Sequence, residues 1–380
     1  MESSAAVPSA TLRPKEERRL LRGHCWAYRN EFAALPELED GGVVDVFSAQ
    51  RRFVGRGYFQ TEGGIAVRLL ARHQVPVDED FFHTRLSEAL ALRKLVAPGR
   101  DAWRWVHGES DGLPGLVADV YGGIVHAVSG ARFYWRNQAA LAAAFQRFPE
   151  TAGVRVTAGP QTASHGEAPD ETPVDIGGLR FHAPLAAGQK TGLFLDQQEN
   201  VMAMRSFVAG RRVLDGHCYA GVWACHAAAA GALEVIGVDT SAPAIEWAAR
   251  HGEENGLSGR CRFETASVAD ALTTGAPYGA IFLDPPALAK GRGGIERALG
   301  VYQALNRDAF KALEPGGVLI TSSCSQPVSA PAFLEMLKRA ARAAQRDAVI
   351  LAVRGAAMDH PVHLSTPETA YLKCVFAAVR

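Results

Sequence analysis

The chain has 380 residues, long enough for two or three domains of the usual ~100–200 residues, and 48% of them are hydrophobic and 21% charged, as in an ordinary globular protein. Lys+Arg and Asp+Glu both number 40, so net charge gives no whole-chain footprint for nucleic acid. No apolar run reaches the ~18–20 residues that cross a bilayer.

The opening "MESSAAVPSATLRPKEERR" puts its charges after a weakly apolar stretch, the reverse of a secretory signal. Residues 1–10 read as a loose tail of a cytoplasmic protein. Residues 11–30 carry Arg13, Lys15, Arg18, Arg19, Arg22 and Arg29 against Glu16 and Glu17. Such an arm can contact phosphates, although on charge alone a solvated charged helix is the better reading. "GVVDVFS", "FVGRGYF" and "GIAVRLLA" within 42–71 are short strands with turns, a small β-rich module. Residues 76–96 have helical apolar spacing with an acidic first turn. A hairpin turning at Gly122-Gly123 follows, then a helix over "WRNQAALAAAFQRF" and a strand, "GVRVT". The stretch 158–173 is rich in Gly, Pro, Ser and acids and is expected to be a mobile loop. "VDIGGLRFHAPL" is a second hairpin.

From about residue 190 strands alternate with helices. "RRVLDG", "LEVIGVD", "AIFLD" and "GGVLITSSC" are strands, and "WACHAAAAGA", "SAPAIEWAARHGEENGL" and "LGVYQALNRDAFKAL" are helices. Ser241 suits the N-cap of the second helix and Gly256 its C-terminal end. The alternation predicts an α/β fold with a mostly parallel, doubly wound sheet, which binds ligands beyond the carboxyl ends of its strands. The first of these strands ends in Asp215, with Gly216 and Gly221 before the helix, and the second ends in Asp239. A glycine turn followed by an acid about 20 residues on suits a cofactor with a ribose, whose hydroxyls the acid would bind. The chain lacks both the G-x-G-x-x-G fingerprint and a Walker lysine at this turn, which favours a nucleoside without phosphates, and S-adenosylmethionine fits.

"FLDPPALAK" places Asp284 at a strand end and fixes the backbone after it with Pro285 and Pro286. Cys324 closes the next predicted strand between serines. Neighbouring strands lie ~4.8 Å apart, so on adjacent strands the acid and the thiol would face one pocket. On the residues alone, Cys324 as a nucleophile and Cys324 as a buried strand-end thiol are about equally good readings. "HCYAGVWACH" (217–226) holds two His and two Cys, but the six residues between its cysteines exceed the ~2–4 of structural zinc sites, and small thiols packed around a turn explain it better.

Together the motifs "LLRGHCWAY", "GESDGLPGLVADVYG", "GQKTGLFLDQQ", "VLDGHCYAGVWA", "VDTS", "DPPAL", "VYQALN", "SCS", "DHPV" and "YLK" resemble the bacterial 23S ribosomal RNA methyltransferases that carry an N-terminal PUA domain and make 5-methylcytosine. The resemblance runs from about residue 11 to the end. It implies a PUA-like RNA-binding domain at 11–72, a middle α+β domain at 76–185 and a Rossmann-like class I methyltransferase domain at 190–380. It implies S-adenosylmethionine bound by Lys190, Thr191, Gly192, Asp196 and Gln197, by Asp215 and Gly221 at the methionine part, by Asp239 at the ribose, by Ser267 near the adenine, and by Asp284 and Pro285 beside the transferred methyl. Cys324 would be the nucleophile and Asp284 its catalytic partner. The implied partner is 23S rRNA or a large-subunit assembly intermediate, without a membrane, and a homodimer is compatible with the pattern.

The sequence departs from the family at His217, Val222, Gln198 and Cys25, and at Ser267, where an acid is common. These departures bear on cofactor affinity, and those at Gln198, Val222 and Ser267 keep open an RNA-binding homologue without turnover, beside two further rivals, adenine N6 methylation and a small-molecule methyltransferase. Adenine enzymes place an aromatic after the two prolines, where this chain has Ala287.

Overall fold

The computed structural model describes residues 6–186, 191–275, 277–289 and 291–380. The chain forms two compact units. One comprises the residues up to Val174 with Ala183–Leu193 and Met358–Thr369; the other comprises Asp175–His182, Phe194–Ala357 and Ala370–Arg380.

The first unit opens with β1 (Ser9–Leu12), α1 (Glu17–Leu21), β2 (Trp26–Tyr28), β3 (Phe32–Ala34), β4 (Val43–Phe47), β5 (Phe53–Phe59) and β6 (Ile65–Ala71). The strands form one six-stranded sheet in the order β2-β6-β5-β4-β1-β3. β1 begins inside the stretch read as a tail, because Ser9 and Ala10 pair in parallel with Asp45 and Val46, and the methyl of Ala10 is fully buried. Buried residues of these strands, such as Val44, Val46, Ala66 and Val67, build the core.

α2 (Glu79–Val96) follows, capped by Asp78, whose Oδ1 accepts from the Phe81 amide at 3.0 Å. Next come β7 (Ala102–His107), β8 (Leu116–Tyr121), β9 (Ile124–Ser129), α3 (Arg132–Arg136), α4 (Gln138–Gln146), β10 (Gly153–Ala158) and β11 (Gln161–Gly166). These five strands form a second sheet, β11-β10-β9-β8-β7, against which Trp105, Phe133, Phe145 and Phe148 pack. The β8–β9 turn has φ of +55° at Gly122 and +86° at Gly123, the positive pair a two-residue hairpin demands. The helix expected over 135–148 starts earlier and is interrupted at Asn137, whose Nδ2 donates back to the Phe133 carbonyl.

The expected mobile loop over 158–173 is instead largely strand. Gln161–Gly166 pairs antiparallel with β10 over six residue pairs, and β12 (Glu171–Ile176) pairs with β13 (Leu179–Pro184). The polar composition reflects an edge strand with alternating exposed residues rather than a lack of structure.

The second unit contains α5 (Gln198–Met204), β14 (Arg212–Gly216), α6 (Val222–Ala229), β15 (Glu234–Asp239), α7 (Ala242–Glu254), β16 (Cys261–Thr265), α8 (Val268–Thr274), β17 (Tyr278–Leu283), α9 (Ile295–Ala312), β18 (Leu313–Ser323), α10 (Ala330–Ala343), β19 (Ala348–Arg354) and β20 (Lys373–Val379). Its sheet has the order β16-β15-β14-β17-β18-β20-β19. The first five are parallel, and β20 runs antiparallel between β18 and β19. The order reverses at β14, so the crevice lies at the carboxyl ends of β14, β15 and β17. Ser241 caps α7 and Gly256 follows it at φ +68°, as expected. Among the described residues, no helix is long and apolar enough to cross a membrane.

Candidate active site

Three acids stand at the ends of the three central strands. Asp215 closes most of β14 and is buried, accepting from the Ala224 amide of α6 at 3.0 Å. Burial pushes its carboxyl up to about 8, and Asp284 and Asp239 push in the same direction. Asp239 ends β15 and accepts from the Tyr219 amide at 3.1 Å and the Ser241 amide at 2.9 Å. The loop between these acids turns sharply, with positive φ at His217, Tyr219 and Gly221. A Cβ on Gly221 would stand 2.9 Å from the Ala248 Cβ and 3.1 Å from the Phe263 ring, so glycine is required twice over.

Asp284 follows β17. Its Oδ2 accepts from Gln197 Nε2 at 3.1 Å, and the same nitrogen donates to Ser322 Oγ at 3.0 Å. The amide is fixed in this sense because Asn200 Nδ2 donates to Gln197 Oε1 at 2.7 Å. Asn200 is in turn held by Arg354 Nε, which donates to its Oδ1 at 2.8 Å. Asp196 is buried; its Oδ2 accepts from the Tyr371 hydroxyl, while its Oδ1 has no hydrogen-bond partner among the described residues.

Cys324 follows β18, the parallel neighbour of β17, with Leu283 opposite Thr321. Its Sγ lies 3.9 Å from the Pro285 carbonyl. Five of the six cysteines are buried, and Cys324 alone is partly exposed. Burial pushes Cys25 up to about 11, Cys374 to about 12 and Cys218 further, which makes these three unreactive packing groups. The Cys324 turn is pinned by Ser325, whose Oγ accepts from the Ala289 amide and lies 3.1 Å from the Tyr302 hydroxyl. The turns after β17 and β18 are thus tied to each other.

The remaining expected residues fall as follows. Ser267 caps α8, its Oγ accepting from the Asp270 amide and donating to Asp270 Oδ2, just beyond Thr265, which pairs with Asp239. Thr191 belongs to the first unit. It is buried there, its hydroxyl on Asp119 of the Arg104–Asp119 pair and its carbonyl on His126. Gly192, also of the first unit, packs at φ +138° against the Tyr121 ring. Lys190 lies outside the described residues. Gln197, Asp284, Ser322 and Asn200 therefore form one bonded group, and Asp215 and Asp239 flank the glycine turn. Ser322, Ser325, Asn200 and Tyr302 were not read as site residues, although "SCS" and "VYQALN" contain two of them, Ser325 and Tyr302.

Of the basic residues at 13–29, Arg13 donates to the Phe32 carbonyl, Arg19 binds Glu31, and Arg29 donates to the carbonyls of Gln60 and Thr61. Lys15, Arg18 and Arg22 are exposed and, with Arg19 and His24, line a cavity of about 530 Å³.

Residues 10–72 match the PUA-like domain family, and residues 132–356, more than half of the chain, match the S-adenosylmethionine-dependent methyltransferase family. The chain belongs to this methyltransferase family. Ribosomal RNA large subunit methyltransferase I of Pseudoalteromonas atlantica is 32% identical to this methyltransferase, over 97% of this chain and 98% of its own. The protein of that name from Erwinia tasmaniensis is 34% identical, over 94% and 96%. A solved structure from Streptococcus mutans, described as a SAM-dependent methyltransferase, is 22% identical and superposes with a TM-score of 0.86 over 98% of this chain and all of that one. A methyltransferase solved in complex with S-adenosylhomocysteine gives the same values. At that identity the likeness fixes the fold.

The cofactor of this methyltransferase is S-adenosylmethionine, and the crevice suits it. Three converging acids favour a ligand with positive charge, as its ammonium and sulfonium carry. The unpartnered Asp196 Oδ1 and the close-packed Gly221 are what a bound polar molecule would use.

Proposed function

We propose that this enzyme methylates C5 of a cytosine in large-subunit 23S ribosomal RNA through a covalent adduct of Cys324. The observation that carries the reading is the one partly exposed thiol, seated at the same end of adjacent parallel strands as Asp284. The names of the similar proteins supply the substrate class.

C5 of cytosine is a poor nucleophile. In the proposed reaction the Cys324 thiolate adds to C6, forming an S–C6 bond and moving the ring's double-bond pair onto C5. Bound S-adenosylmethionine supplies a methyl group on a positively charged sulfur. After C5 gains the methyl, a base removes its proton, the pair returns to the ring, and the S–C6 bond breaks to free Cys324. Cysteine suits both halves, being strongly nucleophilic and a good leaving group. Asp284, held by Gln197, orients the base and assists proton transfer at the ring. Asp215 and Gly221 hold the methionine part, Asp239 the ribose, and Ser267 lies toward the adenine, with Asp196, Gln197 and Pro285 completing the pocket; Lys190, Thr191 and Gly192 are assigned to the cofactor by the resemblance alone. The target cytosine must be unpaired or flipped, because stacking in a duplex would hide C6.

We assign RNA binding to residues 11–72, a connecting role to 76–185 and catalysis to 190–380. The exposed Lys15, Arg18 and Arg22 support contact with the phosphate backbone. Ribosome assembly places the reaction in the cytoplasm.

The test is methyl transfer from labelled S-adenosylmethionine to unmodified large-subunit rRNA, digested to nucleosides, with wild type and Cys324→Ala side by side. Label in 5-methylcytosine that disappears in the variant is expected. Label in another nucleoside, or a fully active variant, would refute the thiol-addition mechanism.

A further inference from the structure

The proposed reaction needs a thiolate, and nothing described so far favours one. Asp284 on the neighbouring strand would oppose it by like charge. A cation is present in an unusual place. Lys373 opens β20 opposite Ser323 and is buried, only 6% exposed. Its Nζ donates to the Ser325 carbonyl at 2.7 Å and to the Tyr371 carbonyl at 2.8 Å. One of these carbonyls belongs to the residue right after Cys324. A lysine is almost never buried without a paired anion. Among the described residues no carboxylate forms an ion pair with Lys373, and its two acceptors are neutral. Its charge is therefore uncompensated as long as Cys324 is a thiol.

We propose that Lys373 is the positioning residue that holds Cys324 in its thiolate form, a buried ammonium paired with a partly exposed thiolate. The inference rests on the reading of Cys324 as the nucleophile. Burial lowers the Lys373 ammonium to about 8, and Cys324 is the charged group that pushes it back up, so each of the two favours the ionised form of the other. Around the thiol stand the Pro285 carbonyl after β17, Tyr302 of α9 and Lys373 at the start of β20. The two carbonyl bonds also fix where the charge sits, since they tie the ammonium to the Cys324 turn itself. A lysine that merely stitched the turn would need those bonds and no more.

The experiment reads the thiol directly, without RNA. The rate at which iodoacetamide alkylates Cys324 is followed against pH in the full chain, with the Cys324 peptide quantified by mass spectrometry. A free thiol ionises near ~8.5, and wild type is expected to show a lower midpoint. Lys373→Met should raise that midpoint by roughly 1–3 units, the usual effect of removing one close opposite charge. Lys373→Arg should restore part of the difference. A Lys373→Met profile that superposes on wild type would overturn the proposal while leaving Cys324 as the nucleophile. If Lys373→Met does not fold, the ultraviolet absorbance of the thiolate, taken as wild type minus Cys324→Ala across pH, decides the matter. A midpoint at or above that of a free thiol overturns the proposal. Methyl transfer retained in Cys324→Ala would instead overturn the nucleophile reading and with it the purpose of the pair.

Discussion

Replacing Gly221 by alanine separates two costs that the structure places at one residue. The backbone there has φ +75°, and a side chain in the left-handed region costs roughly 1–2 kcal/mol. The added Cβ would also stand 2.9 Å from the Ala248 Cβ, 3.1 Å from its Cα and 3.1 Å from the Phe263 ring. Two of these three atoms belong to helix α7, which cannot step aside alone, and overpacking of this kind costs roughly 1–3 kcal/mol. Together they give about 2–5 kcal/mol. Gly210 provides the control, because it has a similar φ of +70° and nothing within 4 Å of an added Cβ. Gly210→Ala should show the backbone cost alone. Both variants are unfolded in urea, with the transition of the second unit followed by amide exchange in β14 and α6. Gly221→Ala should lose at least 1 kcal/mol more than Gly210→Ala. Equal losses would show that the turn moves freely away from α7, and the close packing assigned to the cofactor loop would be wrong.

Asp239→Ala removes a carboxylate that receives two loop amides and, in the proposed complex, the ribose hydroxyls. Hydrogen bonds to a charged group are worth ~1.5–3 kcal/mol, so S-adenosylhomocysteine should bind roughly 10–100-fold more weakly by calorimetry. Unchanged affinity would refute the ribose assignment. The pH dependence of stability is expected to follow the buried histidines. His226 is fully buried and lowered from 6.5 to about 4 by desolvation. Because the folded state excludes the proton, its contribution is complete above about pH 6.5 and is lost as pH falls toward 4. That loss is of order 3 kcal/mol, at 1.36 kcal/mol per pH unit. His226→Phe, beside Phe181, should flatten the curve in that window by a similar amount in denaturant titrations at several pH values.

What the sequence made readable follows from periodicity and strand ends. The central strands β14, β15, β17 and β18 are runs of buried apolar residues closed by polar ones, and that pattern marks Asp215, Asp239, Asp284 and Cys324 as strand-end residues in the sequence itself. β16 escaped because "CRFET" at the sheet edge hides mainly its cysteine, leaving a polar string without alternation. The loop at 158–173 misled for the same reason, since an exposed edge strand has the composition of a loop. The chain from Arg354 through Asn200 and Gln197 to Asp284 spans 158 positions of sequence and has no period at all. Lys373 was hidden by its own chemistry. A lysine near a strand end reads as surface, and only its burial beside the Ser325 carbonyl separates it from one.

The place of β20 in the sheet bears on how the protein is made. β20 follows every other strand in chain order, yet it inserts between β18 and β19. Until residues 373–379 arrive, the strand that leads to Cys324 has an open edge of unpaired amides and carbonyls. Neither the cysteine's turn nor its buried ammonium can be in place before then. A chain cut before residue 373 would thus keep β14, β15 and β17 while losing both the partner strand of β18 and the Lys373 bond to the Ser325 carbonyl beside Cys324.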